Sequence, residues 1–294
     1  MARKHKAGNS KWYVVAIALI SLAVSLSRCS QFKKGNSGEE STTGTKPPKS
    51  APPSKSGDRQ NMLLGNPSQA GTSPANYLIQ RKEFAMAYNR DKGIPNWVCW
   101  HLEESDLGDV KRSQFRPDEN LPDGFYRVTP KDYTNSGYDR GHMCPSADRD
   151  KTVAENEAVF VMSNIIPQAG GNNQGPWAKL EGYCRKLAEE GNEMYIISGG
   201  AGSKGKIADG KVAVPAKTWK VIVVLKKGQN DLDRINSSTR VIAVLMPNEE
   251  GIRDDDWQSF RTTVRKIEGE TGYDLLSALP KGIQDALETK TDRE

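Results

Sequence analysis

The sequence predicts a mixed α+β fold for most of this 294-residue chain. Short segments rich in β-branched and aromatic residues, bounded by Gly, Pro, Asn or Asp, recur along the chain as expected for strands. Helical patterns lie between them at irregular intervals, without the regular strand–helix alternation of a doubly wound sheet. A core domain of roughly 220 residues, dominated by strands, accounts for both observations.

Six segments have the composition of strands. They are residues 96–102, 124–128, 158–166, 194–198, 217–225 and 240–246. The clearest helix covers residues 172–190, where Trp177, Leu180, Cys184 and Leu187 share one face ahead of a stop at Gly191. Two further helices are predicted over residues 74–88 and 254–271.

The first 29 residues have the chemistry of an export segment. Four basic residues precede an apolar run at positions 12–26. This run is shorter than the roughly 20 residues of a comfortable transmembrane helix, so residues 1–29 are predicted to be a signal peptide or an N-terminal membrane anchor. Lipidation at Cys29 is a third reading, which Arg28 disfavours. Each reading predicts an exported protein that is secreted, periplasmic or membrane-tethered.

Residues 30–73 are rich in Ser, Gly, Pro, Lys and Thr and predict a disordered linker ahead of a folded domain at 74–294. The net charge of +5 is uneven, because residues 1–60 contain eleven Lys and Arg against three Asp and Glu, which leaves 31 against 34 in the rest. The basic balance therefore belongs to the tail, and any anion-binding surface on the domain must be a local cluster of arginines. Cys99, Cys144 and Cys184 permit one disulfide in an exported chain, without indicating which pair.

The candidate site begins at Asp139-Arg140-Gly141-His142 and continues on the predicted helix with Asn173, Glu181 and Arg185. A neutral His142 is a candidate general base, so activity should fall as the pH drops through an imidazole-like pKa. Asn173 offers a neutral oxygen to a hard cation such as Mg²⁺, and Glu181 is placed to hold the cation's water shell.

The arginines are the candidates to bind phosphate oxygens. Arg140 lies inside the motif, Arg185 lies on the helix, and Arg112 precedes both, with Lys111 and Arg116 as rivals for its role. Together with the histidine and the predicted helix, these arginines indicate a metal-dependent phosphodiesterase site. Because arginines bind phosphate rather than base edges, little sequence preference is expected.

Three alternatives remain open at this point. Cys99 and His101, with His142 and Cys144, have the strand spacing of a Cys₂His₂ zinc site. A surface-tethered nucleic-acid-binding module would use the same arginines without catalysis. A phosphodiesterase acting on another exported polymer would use the same residues for the same chemistry.

The ordered set of motifs resembles the DNA/RNA non-specific endonuclease family, most closely its secreted bacterial branch and more distantly mitochondrial endonuclease G. The resemblance runs from about Leu64 to the C-terminus. It is carried by residues 136–149, 162–168 and 173–185, with support from residues 96–98, 115–118 and 271–274.

The resemblance implies a ββα-metal (His-Me finger) nuclease fold, with a mainly antiparallel sheet and flanking helices. It also implies one Mg²⁺ per site, with Mn²⁺ as a possible substitute, and cleavage of single- and double-stranded DNA and RNA to 5′-phosphate products. The implied roles are as follows: His142 is the general base, Asn173 the metal ligand, Glu181 the holder of the cation's water, Arg140 and Arg112 phosphate-binding catalytic residues, Arg185 and Asp139 substrate-binding residues, and Asn164 a structural support.

Overall fold

A computed structural model describes residues 61–294 of the chain. The predicted export segment at 1–29 and most of the predicted linker lie outside the described residues. The domain begins earlier than position 74, because Leu64 is buried in a core and its carbonyl accepts a hydrogen bond from the backbone N–H of Ala278. Residues 61–73 therefore belong to the domain rather than to the linker. No helix between residues 61 and 294 has the length and apolarity to cross a membrane.

A seven-stranded antiparallel sheet forms the centre of the domain, with the strand order β1-β2-β3-β4-β7-β10-β11. These strands are β1 (Thr72–Ser73), β2 (Asn76–Gln80), β3 (Ala85–Asn89), β4 (Ile94–Glu103), β7 (Asn192–Ala201), β10 (Lys217–Lys226) and β11 (Arg240–Pro247). Two antiparallel pairs stand apart from the sheet, namely β5 (Asp139–His142) with β6 (Ile165–Gln168) and β8 (Lys206–Ile207) with β9 (Val212–Ala213).

The α-helices are α1 (Val153–Val159), α2 (Gly170–Asn172), α3 (Ala178–Glu189), α4 (Asp231–Arg234), α5 (Val264–Thr271) and α6 (Lys281–Glu288). Side chains that alternate along the strands fill a separate core on each face of the sheet. Trp100 and Ile222 lie in the first core, which also contains Trp177 and Leu180 near the start of α3. Trp97 and Trp219 lie in the second core, under α5 and α6. The β5–β6 pair and α3 thus occupy one face of the sheet.

Four predicted strands are confirmed as β4, β7, β10 and β11, and so is the mixed α+β class. Residues 124–128 form no strand in the described structure. The predicted strand at 158–166 is instead the end of α1, a 3₁₀ turn at Met162–Asn164 and the start of β6. A short apolar run has the same composition whether it is a buried turn or a strand, and only its position in the fold separates them.

The predicted helix at 74–88 is wrong, because this segment forms β2, a turn and most of β3. All five residues of β3 are buried between β2 and β4, and a strand buried on both faces loses the alternation that identifies strands. The predicted helix at 254–271 is shortened to α5. Arg261 bridges to Val244 of β11, and the Thr262 N–H donates to the Ala243 carbonyl, so the chain stays extended until Thr263 caps the helix.

The predicted helix at 172–190 is interrupted rather than continuous. After α2, residues Asn173–Trp177 form a wider π-type turn that contains a non-helical Gly175 followed by Pro176, and α3 starts at Ala178. Proline lacks the N–H for a regular helical bond. A Cβ on Gly175 would lie 2.5 Å from the Arg253 carbonyl oxygen, so the bend packs closely against another segment. The side chain of Asn173 is consequently set by this turn and not by a regular helix.

Candidate active site

The β5–β6 pair holds His142 through its backbone. His142 is paired with Ile165, and Gly141 with Ile166. The buried Asn164 amide donates to the carbonyls of Cys144 and Val159, both at 2.9 Å, and its Oδ1 accepts from the Cys144 N–H at 3.0 Å. The chain directly after His142 is therefore fixed, and the Asn164 geometry agrees with the supporting role predicted for it.

The His142 ring is packed between two phenylalanines. The ring centroids of Phe115 and Phe160 lie 5.1 Å and 4.8 Å from that of His142, which is 9% exposed. Burial, and after it the positive charge of Arg112, lowers the pKa of His142 from 6.5 to about 3. Its Nε2 is buried and has no hydrogen-bond partner in the described part of the chain. The imidazole is therefore neutral at physiological pH and able to accept a proton.

Asn173 faces His142 from the turn before α3. Its Nδ2 donates to the Asp139 carboxylate at 2.9 Å, and the neighbouring Gln174 Nε2 donates to the same oxygen at 2.7 Å. Its Oδ1 accepts no hydrogen bond from the residues described here, so this amide oxygen is available to a cation. Asp139, predicted to bind substrate, lies behind Asn173 and accepts hydrogen bonds from these two amides.

The carboxylate of Glu181 lies one turn into α3. Its Oε1 is 3.4 Å from Nζ of Lys220, a residue of β10 that is 1% exposed. Burial raises the pKa of the Glu181 carboxyl, and the Lys220 ammonium opposes that rise.

Three arginines complete the site. The Arg140 guanidinium lies 4.8 Å from the Phe115 ring centroid, and that of Arg112 lies 5.4 Å from the Phe160 centroid. Arg185 pairs with the buried Asp148 at 3.1 Å. The phenylalanines that enclose His142 thus also contact the guanidinium groups of Arg112 and Arg140.

One cleft of about 400 Å³ brings together six of the eight predicted site residues. These six are Arg112, Arg140, His142, Asn173, Glu181 and Arg185. Asn164 and Asp139 do not line the cleft. Asn164 holds the backbone of Cys144, and Asp139 holds the side chain of Asn173. Arg112 lines the cleft, whereas its rival Arg116 lines a neighbouring pocket with Phe115.

Sequence reasoning missed Gln174 and Ser146 on the cleft wall and Lys220 behind it. Lys220 carried a signal, since it is a charged residue in the middle of the apolar run of a predicted strand. Gln174 and Ser146 are ordinary turn residues in sequence, and nothing local distinguishes them.

The zinc alternative is not supported. Cys99 lies in the core on one face of the sheet and Cys144 in the core on the other, and both thiols are free. Within residues 61–294, two groups of three or more His, Cys, Asp or Glu side chains lie close enough to hold a metal ion, His101 with Glu193 and Asp231, and Glu268 with Asp274 and Glu288. Neither cluster includes a residue of the cleft.

A strand pair that carries a neutral imidazole, followed by a turn that carries an amide and a helix that carries a carboxylate, defines a ββα-metal nuclease. The same fold is seen in the crystal structure of an EndoG/EndoGI complex, with a TM-score of 0.64 and 25% identity over 79% of this chain and 95% of that one. The model of the DNA/RNA non-specific endonuclease family matches residues 66–282. The chain belongs to this family and is a metal-dependent endonuclease.

Curated relatives agree with this assignment. A nuclease of Nostoc sp. is 48% identical over 235 residues, which cover 79% of this chain and 85% of the relative. Nuclease C1 of Cunninghamella echinulata is 32% identical, covering 70% and 86%. The mitochondrial nuclease of Saccharomyces cerevisiae is 32% identical, covering 73% and 70%. The similarity therefore spans most of each protein and includes the whole cleft.

Proposed function

We propose that the chain is an exported, Mg²⁺-dependent nuclease that hydrolyses phosphodiester bonds in DNA and RNA, single- or double-stranded, to 5′-phosphate products. The observation that carries the proposal is the convergence in one cleft of a neutral imidazole, a free amide oxygen, a carboxylate and three arginines. Family membership gives nucleic acid as the substrate class. Export is supported by the basic and apolar pattern of residues 1–29.

The chemistry of the donor set fits a hard divalent cation. The Asn173 amide oxygen would bind Mg²⁺ directly, and the Glu181 carboxylate would bind its water shell, with Mn²⁺ as a possible replacement. When bound, the ion stabilises the leaving oxygen and the charge that develops on the phosphate.

The protein's own groups supply the rest of the reaction. His142 accepts the proton of the attacking water, because burial keeps the ring neutral. Arg112, Arg140 and Arg185 line the cleft as donors for nonbridging phosphate oxygens. All three recognise phosphate rather than base edges, so cleavage with little sequence preference follows.

Plasmid and RNA cleavage by residues 61–294 tests the activity. Wild type and His142→Ala are compared in Mg²⁺ and in EDTA. We expect both polymers to be cut only in Mg²⁺, with 5′-phosphate ends and no fixed recognition motif, and the variant to be inactive. Cutting that persists in His142→Ala would contradict the assigned base. Binding without cutting by wild type would instead support a non-catalytic binding module.

Export is tested separately, on cells that express the full chain. Fractionation should recover the protein in the medium, in the periplasm or tethered to a membrane and facing outside the cytoplasm. N-terminal sequencing should distinguish cleavage after residue 29 from a retained anchor. Recovery of the protein from the cytoplasm alone would contradict export without affecting the proposed chemistry.

A further inference from the structure

Lys220 is a charged residue in the interior of the sheet. It lies in the middle of β10, between β7 and β11, and is 1% exposed. Lysine is rarely buried to this extent unless its charge is paired, because removing an ammonium from water is costly. A lysine at this position therefore requires an explanation in its contacts.

The ammonium of Lys220 points at the active-site helix. Nζ lies 3.4 Å from Glu181 Oε1, 4.1 Å from the Trp177 ring centroid and 5.5 Å from the Trp100 ring centroid. One aromatic face from strand β4 and one from the turn before α3 thus lie against the ammonium, and one carboxylate oxygen receives it on the cleft side.

Glu181 has little else to orient it. Among the residues that the structure describes, the Lys220 ammonium is the one hydrogen-bond donor to the Glu181 side chain, and it engages Oε1. Oε2 is left available to the cleft that Glu181 lines. A flexible glutamate is in this way fixed at one oxygen by a group that is itself immobilised in the core.

Stability alone does not require this pair. Replacing a buried ion pair by apolar residues of similar volume is often neutral or stabilising, and the neighbours of Lys220 in β10 are already apolar. A single lysine there instead gives a nearby carboxylate a fixed direction.

We propose that Lys220 is a positioning residue for catalysis, which holds Glu181 with one oxygen fixed and the other directed to the cation's water shell. The inference rests on the role of Glu181 in the proposed function. By this inference, strand β10 takes part in catalysis as well as in the core.

The test uses the full chain in four variants: Lys220→Met, Glu181→Gln, the double variant, and Ile222→Val as a buried control on the same face of β10. Lys220→Met should lower kcat roughly 10- to 100-fold, as for other groups that orient metal-site ligands, with KM changed by less than about threefold. In the Glu181→Gln background the same change should lower kcat by less than about threefold, because it acts through Glu181. Ile222→Val should keep full activity.

Two outcomes would overturn the inference: kcat of Lys220→Met close to wild type, or losses that multiply in the double variant as those of independent sites do. If Glu181→Gln alone leaves kcat unchanged, the role of Glu181 in the proposed function is wrong, and the inference about Lys220, which rests on it, is overturned with it. Thermal unfolding shows that each variant is folded. If Lys220→Met does not fold, Lys220→Gln replaces it in the same cycle, with the same outcomes deciding.

Discussion

Two buried environments govern the chemistry of single residues in the cleft. His142 is enclosed by Phe115 and Phe160 and stays neutral, whereas Glu181 is buried beside the ammonium of Lys220. In the proposed mechanism the base is neutral and the water-orienting carboxylate is charged. Burial lowers the pKa of His142, whereas burial raises that of Glu181 and the Lys220 ammonium opposes the rise.

The pKa of His142 changes the pH dependence expected from the sequence. The unperturbed imidazole predicts loss of activity near pH 6.5, but with a pKa of about 3 the base stays neutral far below that. We expect a titration of the His142 ring followed by NMR, assigned with His142→Ala, to show no midpoint between pH 5 and 8. A midpoint near 6.5 would contradict the burial argument.

The same shift has a consequence for stability. The unfolded chain binds a proton at His142 below about pH 6.5, whereas the folded chain does so only near pH 3. The contribution of the neutral histidine to the free energy of unfolding is therefore fully present above pH 6.5 and is lost as the pH falls toward 3.

Asp139 is expected to act on the metal through Asn173. Asp139→Asn weakens the acceptor that holds the amides of Asn173 and Gln174, so the rate should fall roughly 10- to 100-fold and half-maximal activity should need more Mg²⁺. A metal titration of the rate measures this. Gln174→Ala, which leaves the Asn173 contact in place, is the control. An Asp139→Asn variant with raised KM for DNA and an unchanged Mg²⁺ requirement would favour the substrate contact predicted from the sequence.

At the scale of elements, the turn that carries Asn173 is held by a distant segment. The Glu250 carboxylate accepts the N–H groups of Gly170 and Gly171 at 2.6 and 2.8 Å, and a Cβ on Gly171 would lie 2.0 Å from the Glu250 carbonyl oxygen. The N-terminus of α2 and the backbone of residue 250 are thus in close contact.

A pair of glycine substitutions tests this contact. Gly171→Ala should destabilise the domain by about 1–3 kcal/mol, because backbone must move to make room, and should lower activity through Asn173. Gly182→Ala in α3, where the nearest atom to the new Cβ is Arg185 Nη2 at 3.9 Å, should gain roughly 0.5–1 kcal/mol from helix propensity. Urea denaturation and cleavage rates measure both. Equal stability in the two variants would show that the Gly171 contact yields without cost.

The sequence predicted four strands of the central sheet and the local motifs of the site, and it missed segments whose form depends on contacts with distant parts of the chain. The site residues from Asp139 to Arg185 form local motifs, and the structure gathers most of them in one cleft. The 74–88 helix failed because β3 is buried on both faces, and the continuous 172–190 helix failed because Gly175 packs on Arg253. Glu250 and Lys220 reach the site from remote positions, and no local pattern connects them to it.

At the scale of the whole molecule, folding and metal binding are expected to be separate. Both cores lie on the sheet faces, whereas Asn173 is partly exposed in the cleft. EDTA should abolish activity and leave the unfolding transition nearly unchanged, since metal near its Kd adds only about 0.4 kcal/mol. Calorimetry with and without Mg²⁺ measures this, and cooperative unfolding on chelation would contradict it.

The three cysteines of the domain are expected to be free and protected. Cys99, Cys144 and Cys184 are buried and form no disulfide, and burial raises the pKa of each thiol. Iodoacetamide should modify none of the three in the native protein made from residue 61 onward and all three in denaturant, as read by mass spectrometry. A mass lower by two hydrogens before reduction would reveal a disulfide instead.

The separation in sequence between the site and its supports also sets the order in which they are synthesised. A nascent chain that has emerged as far as Arg185 carries His142, Asn173 and Glu181, but not Lys220 or Glu250. The lysine partner and the turn anchor follow all six predicted residues that line the cleft. During synthesis, the residues that line the cleft therefore leave the ribosome before the groups that position Glu181 and the Asn173 turn, and we expect full activity only after Glu250 has joined the fold.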